Sequence, residues 1–309
     1  MSTAKQSIVE RLIPIDTAYG RFNVWTRRVG QHARIKLLLL HGGPGATHEY
    51  FECLAPFMAA EGIETIYYDQ LGSHRSDQPD EPELWEIDRF VDEVEQVRIA
   101  LSLTADNFFL LGHSWGGILA IEYALRHQLH LKGLVVSNMM ASIPAYNAYA
   151  ESVLMPGIAP DVLAEIKALE AAKDYDDPRY MALLIPHHYE HHVLRRPHAE
   201  WPDAVNRAFA HLNAKVYIPM QGPSELGASG KLAAWDRMAD LSRITVPTLT
   251  IGAAHDTMDP AHMRAMADAL SHGRHLHCPD GSHMAMVDDE AVYMDGLVAF
   301  LHDVDHARA

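Results

Sequence analysis

The sequence predicts an α/β fold: a mostly parallel central sheet with helices on both faces and a helical cap inserted into it. Three observations predict it. Short, wholly apolar runs alternate with stretches of helical periodicity through the first half of the chain, the pattern of a sheet buried on both faces. That rhythm lapses between residues 140 and 241 and then resumes. Glycine-rich turns follow two of the apolar runs, where such a sheet delivers its functional loops.

The elements follow in order. Residues 35–40 (Ile-Lys-Leu-Leu-Leu-Leu) read as a buried strand, 47–60 as a helix and 63–68 as the next strand. Ile87, Phe90, Val91, Val94, Val97 and Leu101 recur at helical spacing and mark one buried face. Phe108-Phe109-Leu110-Leu111 forms a strand, Ile118 to Leu125 a helix, and Leu134-Val135-Val136 a further strand. The stretch 140–241, rich in Ala, His, Pro and Met, shows no buried strand and reads as a cap inserted into a catalytic domain made of 1–139 and 242–309. Strands at 246–252 and 274–278 and helices at 261–270 and 290–302 complete that domain.

Composition narrows the function. With 48% hydrophobic and 21% charged residues in 309, the chain has the make-up of a globular protein. Its 41 acidic residues against 25 basic ones give a formal charge of −16, which repels nucleic acid and anionic membranes and favours cationic small molecules. No apolar run is long enough to span a bilayer, and Met1 to Gln6 lead into mixed residues without the apolar core of a secretory signal. Two distant cysteines, Cys53 and Cys278, make no disulfide framework, so a cytoplasmic setting is expected.

The chemistry is concentrated in Gly112-His113-Ser114-Trp115-Gly116-Gly117, which lies between a strand and a helix. Gly-x-Ser-x-Gly in that context is a nucleophile elbow, in which a tight turn exposes the serine and the flanking glycines let strand and helix approach. A serine hydroxyl needs a base to take its proton and a third group to orient the base. Asp256 and His283, each just past a late strand and in the chain order Ser, Asp, His, are the candidates. Asp259 is a rival, but it precedes Pro260 and reads as a cap; His255 and His277 are rivals to His283. His41-Gly42-Gly43-Pro44-Gly45 follows the 35–40 strand, where the first oxyanion donor belongs; the Gly43 and Trp115 amides are the expected pair. His187, His188, His191 and His192 make two i,i+4 pairs of zinc-binding spacing, but no third ligand is evident, and neither metal nor cofactor is expected.

The two glycine motifs together resemble the proline iminopeptidase family of α/β-hydrolases, which includes aminopeptidases and amino-acid amidases, and the likeness covers essentially the whole chain. Tyr68-Asp69-Gln70-Leu71-Gly72-Ser73-His74-Arg75-Ser76 is similar to that family's Asp-Gln-x-Gly-x-Gly-Arg-Ser loop, departing from it at Leu71 and His74, which suggests contact with a different leaving group. The stretches around Tyr189 to Arg195, Trp201-Pro202 and Val216 to Glu225 resemble the amidase branch. The resemblance implies the α/β-hydrolase fold and a serine hydrolase that releases an N-terminal amino acid, proline among the candidates, from short peptides or amino-acid amides. It also implies cap carboxylates that hold the free α-amino group: Glu225 in Gly-Pro-x-Glu, with Glu190 as a second candidate. Trp201 and Trp235 line the pocket or pack the cap, packing being the expectation. A carboxylesterase or lactonase on the same scaffold is the alternative, and a non-catalytic ligand-binding protein a more distant one.

Overall fold

Residues 8–30 and 32–307 are described by the structure, a computed structural model. Eight strands are formed: β1 (Ile8–Thr17), β2 (Gly20–Val29), β3 (Ile35–Leu40), β4 (Ile63–Asp69), β5 (Phe108–His113), β6 (Gly133–Ser137), β7 (Thr248–Ala253) and β8 (Gly273–Cys278). They make one sheet in the order β1-β2-β4-β3-β5-β6-β7-β8. β1 pairs antiparallel with β2, and β2 antiparallel with β4; every other pairing is parallel.

Side chains of the central strands alternate between two cores. Leu38, Leu40, Leu110, Leu134 and Val136 pack on one face, beneath the helices Ile87–Ala100 and Trp115–His127. Leu37, Leu39, Phe109, Leu111 and Val135 pack on the other, with the long helix Glu290–Ala307. Both faces being covered is why these strands carry unbroken apolar runs.

The β1–β2 hairpin was not legible in the sequence. Ile8 and Leu12 are 60% and 55% exposed while Ile13 and Ile15 are buried, so the apolar residues do not sort onto one face by alternation. The expected 47–60 helix forms in two pieces, a 3-10 turn Glu49–Leu54 and a short α-helix Ala55–Ala60, with Pro56 at the junction. Proline has no N–H to continue the earlier turn.

Between β6 and β7 the chain makes only helices and loops among the described residues, in pieces such as Ile143–Tyr149, Pro160–Ala172, Asp203–Ala210 and Ala214–Met220. Its two ends are stitched together: Ile143 N–H donates to the Trp235 carbonyl at 2.8 Å, Arg237 N–H to the Ala141 carbonyl at 2.7 Å, and Ser142 bridges Asp236. These bonds join residues 141–143 to residues 235–237, at the two ends of the stretch expected to form the cap. No helix among the described residues is long and apolar enough to cross a membrane.

Strand order reverses around β3, so the segments after β3 and β5 leave the sheet side by side, with Leu40 paired to Gly112. A crevice at such a switch point is where α/β sheets place ligands. Close approach there depends on two glycines. A Cβ on Gly112 would fall 1.9 Å from the Gly116 carbonyl oxygen, and one on Gly116 would fall 2.0 Å from that of Leu40. Both obstacles are backbone and cannot step aside. Gly112→Ala and Gly116→Ala are therefore expected to destabilise the fold by several kcal/mol, on the order of 3 or more, as overpacked cores do. Thermal unfolding of the purified variants checks this; a midpoint unchanged from wild type would contradict it.

Candidate active site

The C-terminal ends of five adjacent strands stand in register: Leu40 beside Gly112, His113 beside Ser137, Ser137 beside Ile251, and Ala253 beside Cys278. Gly42-Gly43, Ser114, Asn138, Asp256 and His283 all lie in the segments that follow. Five segments spread over about 240 residues of chain thus meet at one edge.

Ser114 occupies the elbow at φ 55° and ψ −129°, a strained conformation for a residue with a side chain. It is held from both sides. Its N–H donates to the Ser137 carbonyl at 3.1 Å, and its own carbonyl accepts from Gly117 N–H at 2.7 Å. Ser114 and His283 line the same cavity, of about 200 Å³, between the sheet edge and the cap.

The His283 Nδ1 lies 2.8 Å from Asp256 Oδ1, which sets Nδ1 as the protonated nitrogen and leaves the Nε2 lone pair free. Asp256 is fully buried and is itself fixed by donors. Met258 N–H reaches Oδ1 at 3.1 Å, Thr257 Oγ1 reaches Oδ1 at 3.3 Å, and Asn138 Nδ2 reaches Oδ2 at 2.7 Å. Burial pulls the His283 pKa down, but the Asp256 charge and hydrogen bond outweigh it, and the net shift is upward from 6.5. Asn138, at φ 52°, also donates to the Ser282 carbonyl at 3.2 Å and so ties the aspartate to the histidine loop. Sequence reasoning missed it; its one signal was its position just past the β6 run Leu134-Val135-Val136.

The oxyanion side is built to match. Trp115 opens the helix Trp115–His127, so its N–H has no partner within the helix and carries the positive end of the helix dipole. Gly43 lines the cavity at φ 105°, and among the described residues its N–H has no hydrogen-bond acceptor. Gly42 beside it packs directly against the nucleophile: a Cβ there would fall 2.9 Å from Ser114 Cβ.

A buried polar chain links these loops. Gly42 N–H donates to Tyr50 Oη at 2.6 Å, Tyr50 Oη donates to His113 Nδ1 at 3.1 Å, and His113 Nε2–H donates to the His283 carbonyl at 2.8 Å. Burial, with the neighbouring His283, pulls His113 down to about 3, so the ring is neutral and can act as donor and acceptor at once. His113, the residue before Ser114, therefore links the Gly42-Gly43 turn to the His283 loop.

The loop after β4 departs from expectation. None of its residues lines the cavity shared by Ser114 and His283, so the structure lends no support to a leaving-group contact from it. Gln70 instead holds the machinery from behind: its Nε2 donates to the His41 carbonyl at 3.0 Å, its N–H to His41 Nε2 at 3.1 Å, and its Oε1 accepts from the Trp115 indole at 2.8 Å.

Of the cap carboxylates, Glu225 faces the cavity with Ser114 and His283 and accepts a hydrogen bond from the Tyr217 hydroxyl. Its backbone is pinned as well: its carbonyl accepts from Tyr146 Oη at 2.7 Å and His188 Nε2 at 3.0 Å. Glu190 does not line the cavity; its carboxylate accepts from His198 N–H at 2.6 Å, and Glu200 is exposed. Asp176, which no motif in the sequence singles out, does line the cavity. Most of the remaining wall is apolar or aromatic, including Tyr189, Phe209, Leu212 and Met284.

The cap also touches the His283 loop directly. His283 N–H donates to the His192 carbonyl and Met284 N–H to that of Val193, both at 2.9 Å. The four cap histidines do not gather around a common point: His188 is spent on Glu225 and His192 Nδ1 on the His255 carbonyl at 3.0 Å. Asp259 caps the helix Pro260–Ala269, accepting from Ala261 N–H at 2.8 Å. The indole N–H groups of Trp201 and Trp235 bond to the Arg196 carbonyl and Glu122, and both rings are buried in packing away from the cavity.

Comparison with known proteins places this geometry among relatives. Residues 36–290 match the family model of the alpha/beta hydrolase fold. A proline iminopeptidase of Flavobacterium johnsoniae is 55% identical over 297 residues, covering 96% of this chain and 99% of its own. One from Elizabethkingia meningoseptica is 56% identical, covering 95% and 98%. Among solved structures, the proline iminopeptidase of Mycobacterium smegmatis superposes with a TM-score of 0.85 at 28% identity, covering 97% of this chain and all of that one. The structure of VinJ does so with a TM-score of 0.88 at 28% identity, covering 96% and 99%.

Proposed function

The chain belongs to the proline iminopeptidase family of alpha/beta hydrolases, and on that premise we propose that it is a serine aminopeptidase. It releases an N-terminal amino acid, proline foremost, from short peptides or amino-acid amides. Ser114 Oγ attacks the carbonyl of the first residue while His283 Nε2 takes its proton. The tetrahedral oxyanion is held by the Gly43 and Trp115 amides. His283 then protonates the departing amine, and water resolves the acyl-enzyme with the same imidazole as base.

The observation that carries the reading is Glu225. A carboxylate set in a largely apolar cavity beside the nucleophile matches a substrate ammonium next to the scissile bond. Such a charge-assisted contact restricts cleavage to the first residue, because an internal residue has no ammonium to offer.

The test compares prolyl-p-nitroanilide, its N-acetyl derivative and p-nitrophenyl acetate on wild type and Glu225→Gln. Wild type is expected to turn over the free amine and not the acetylated one. Glu225→Gln is expected to lose on the order of 10²-fold in kcat/KM on the free amine, the cost of leaving a desolvated charge unpaired, while acetate hydrolysis stays level. Equal loss on both substrates would show only a damaged site. Turnover confined to simple esters would replace the reading with a carboxylesterase.

A further inference from the structure

The cap meets the catalytic domain at a second cluster of titratable groups, outside the cavity. Glu49 begins the 3-10 turn Glu49–Leu54, His74 lies in the loop after β4, and His211 follows the cap helix Asp203–Ala210. The three offer ligand atoms all within 4.8 Å of one another. Glu49 is only 4% exposed, and its Oε2 is 2.7 Å from His211 Nδ1 and 2.9 Å from Thr47 Oγ1. The rings of His74 and His211 stack with centroids 3.7 Å apart.

We propose that Glu49, His74 and His211 form a binding site for a zinc-class divalent cation, one that clamps the cap to the catalytic domain. Two imidazoles and one carboxylate, with water in the fourth position, are a donor set that zinc accepts. In the metal-free protein His211 Nδ1 bonds to Glu49 Oε2, so a cation bound between them displaces that shared proton. Arg207 bonds to the other oxygen, Oε1, and orients the carboxylate as an outer partner does for a metal ligand.

Tetrahedral zinc with bonds near 2.0–2.1 Å sets its ligand atoms about 3.3 Å apart. The cluster therefore closes inward, the two rings turning out of their stack to aim at one point. Both rings are partly exposed. A cation there fixes the cap beside the active-site cavity, since Ala208, Phe209 and Leu212 around His211 form part of its wall. The other triad with metal-ligand geometry, Glu95, His127 and His130, joins neighbouring helical segments of one domain, so a cation there would clamp nothing across the cap.

The test is titration of the metal-free protein with Zn²⁺ in competition with a chromophoric chelator, alongside thermal unfolding with and without Zn²⁺. It uses the full chain, His74→Gln, His211→Gln and, for adventitious surface binding, His277→Gln. Wild type and His277→Gln are expected to bind one equivalent more than either of the other two variants, and only they gain in unfolding midpoint from that equivalent. Zinc taken up by other histidines, His283 included, is common to all four and does not count. Equal stoichiometry and equal midpoint shifts across the four proteins would overturn the proposal, as would a loss confined to His277→Gln.

Discussion

Replacing Ser114 with alanine is expected to lower kcat on prolyl-p-nitroanilide by about 10⁶-fold, the scale seen when a hydrolase of this type loses its nucleophile. The residue left behind still sits between two oxyanion donors and beside Glu225, so substrate binding and a small residual rate survive. The substitution removes a hydroxyl from the cavity wall and no buried hydrogen bond. The hydrogen bonds that hold Ser114, to Ser137 and from Gly117, are made by its backbone, and alanine keeps them. The unfolding midpoint is therefore expected to stay close to wild type, which separates lost chemistry from lost structure. Labelling by a fluorophosphonate probe is expected to vanish with the activity. A variant that kept a tenth of the rate would remove Ser114 from the reaction.

How much of this is readable in the sequence depends on the length scale of each signal. The elbow was legible because its constraint is local: a strained serine needs small neighbours two residues away on each side, and Gly112 and Gly116 record that need in the sequence itself. Asp256 and His283 were legible because each follows a recognisable buried strand, and parallel strands in register deliver what comes after them to one edge. Asn138 follows a strand in the same way, but an asparagine after a strand is ordinary turn chemistry, and only the 2.7 Å bond to Asp256 gives it a role. Glu225, in Gly-Pro-x-Glu, was the first candidate for the amine-binding carboxylate and Glu190 the second. What separates them is which side of the cap each faces, and the irregular, proline-broken helices there carry no period from which to read a face. The β1–β2 hairpin failed for the opposite reason, with apolar side chains on its exposed surface as well as its buried one. The junction of Glu49, His74 and His211 joins three elements far apart in the chain, and no spacing rule reaches that distance.

Asp256→Asn is expected to cost about 10⁴-fold in kcat, through the tautomer of His283 rather than through its position. The carboxylate is surrounded by donors: Met258 N–H and Thr257 Oγ1 at Oδ1, Asn138 Nδ2 at Oδ2, and His283 Nδ1 at Oδ1. An acceptor-only group satisfies all of them. An asparagine cannot, because its NH₂ must face either the amide of Asn138 or the N–H groups at the Oδ1 position. If it turns toward His283, it donates to Nδ1 and drives the proton onto Nε2, where the ring can no longer accept from Ser114. The pH profile carries a second signature of the same cause. The base works when neutral, so kcat/KM is full above the His283 pKa and falls as pH drops through it. In wild type that pKa is raised from 6.5, with Asp256 the main raising partner against burial. Without the carboxylate burial acts with little opposition, and the acid limb of the residual activity is expected to move to lower pH. Asp259→Asn is the control: asparagine caps a helix as well as aspartate does, so rate and acid limb are both expected to stay at wild type. An Asp256→Asn enzyme with an unmoved limb and more than a tenth of its rate would show that the orienting group is some other residue, and an equal loss in Asp259→Asn would name it.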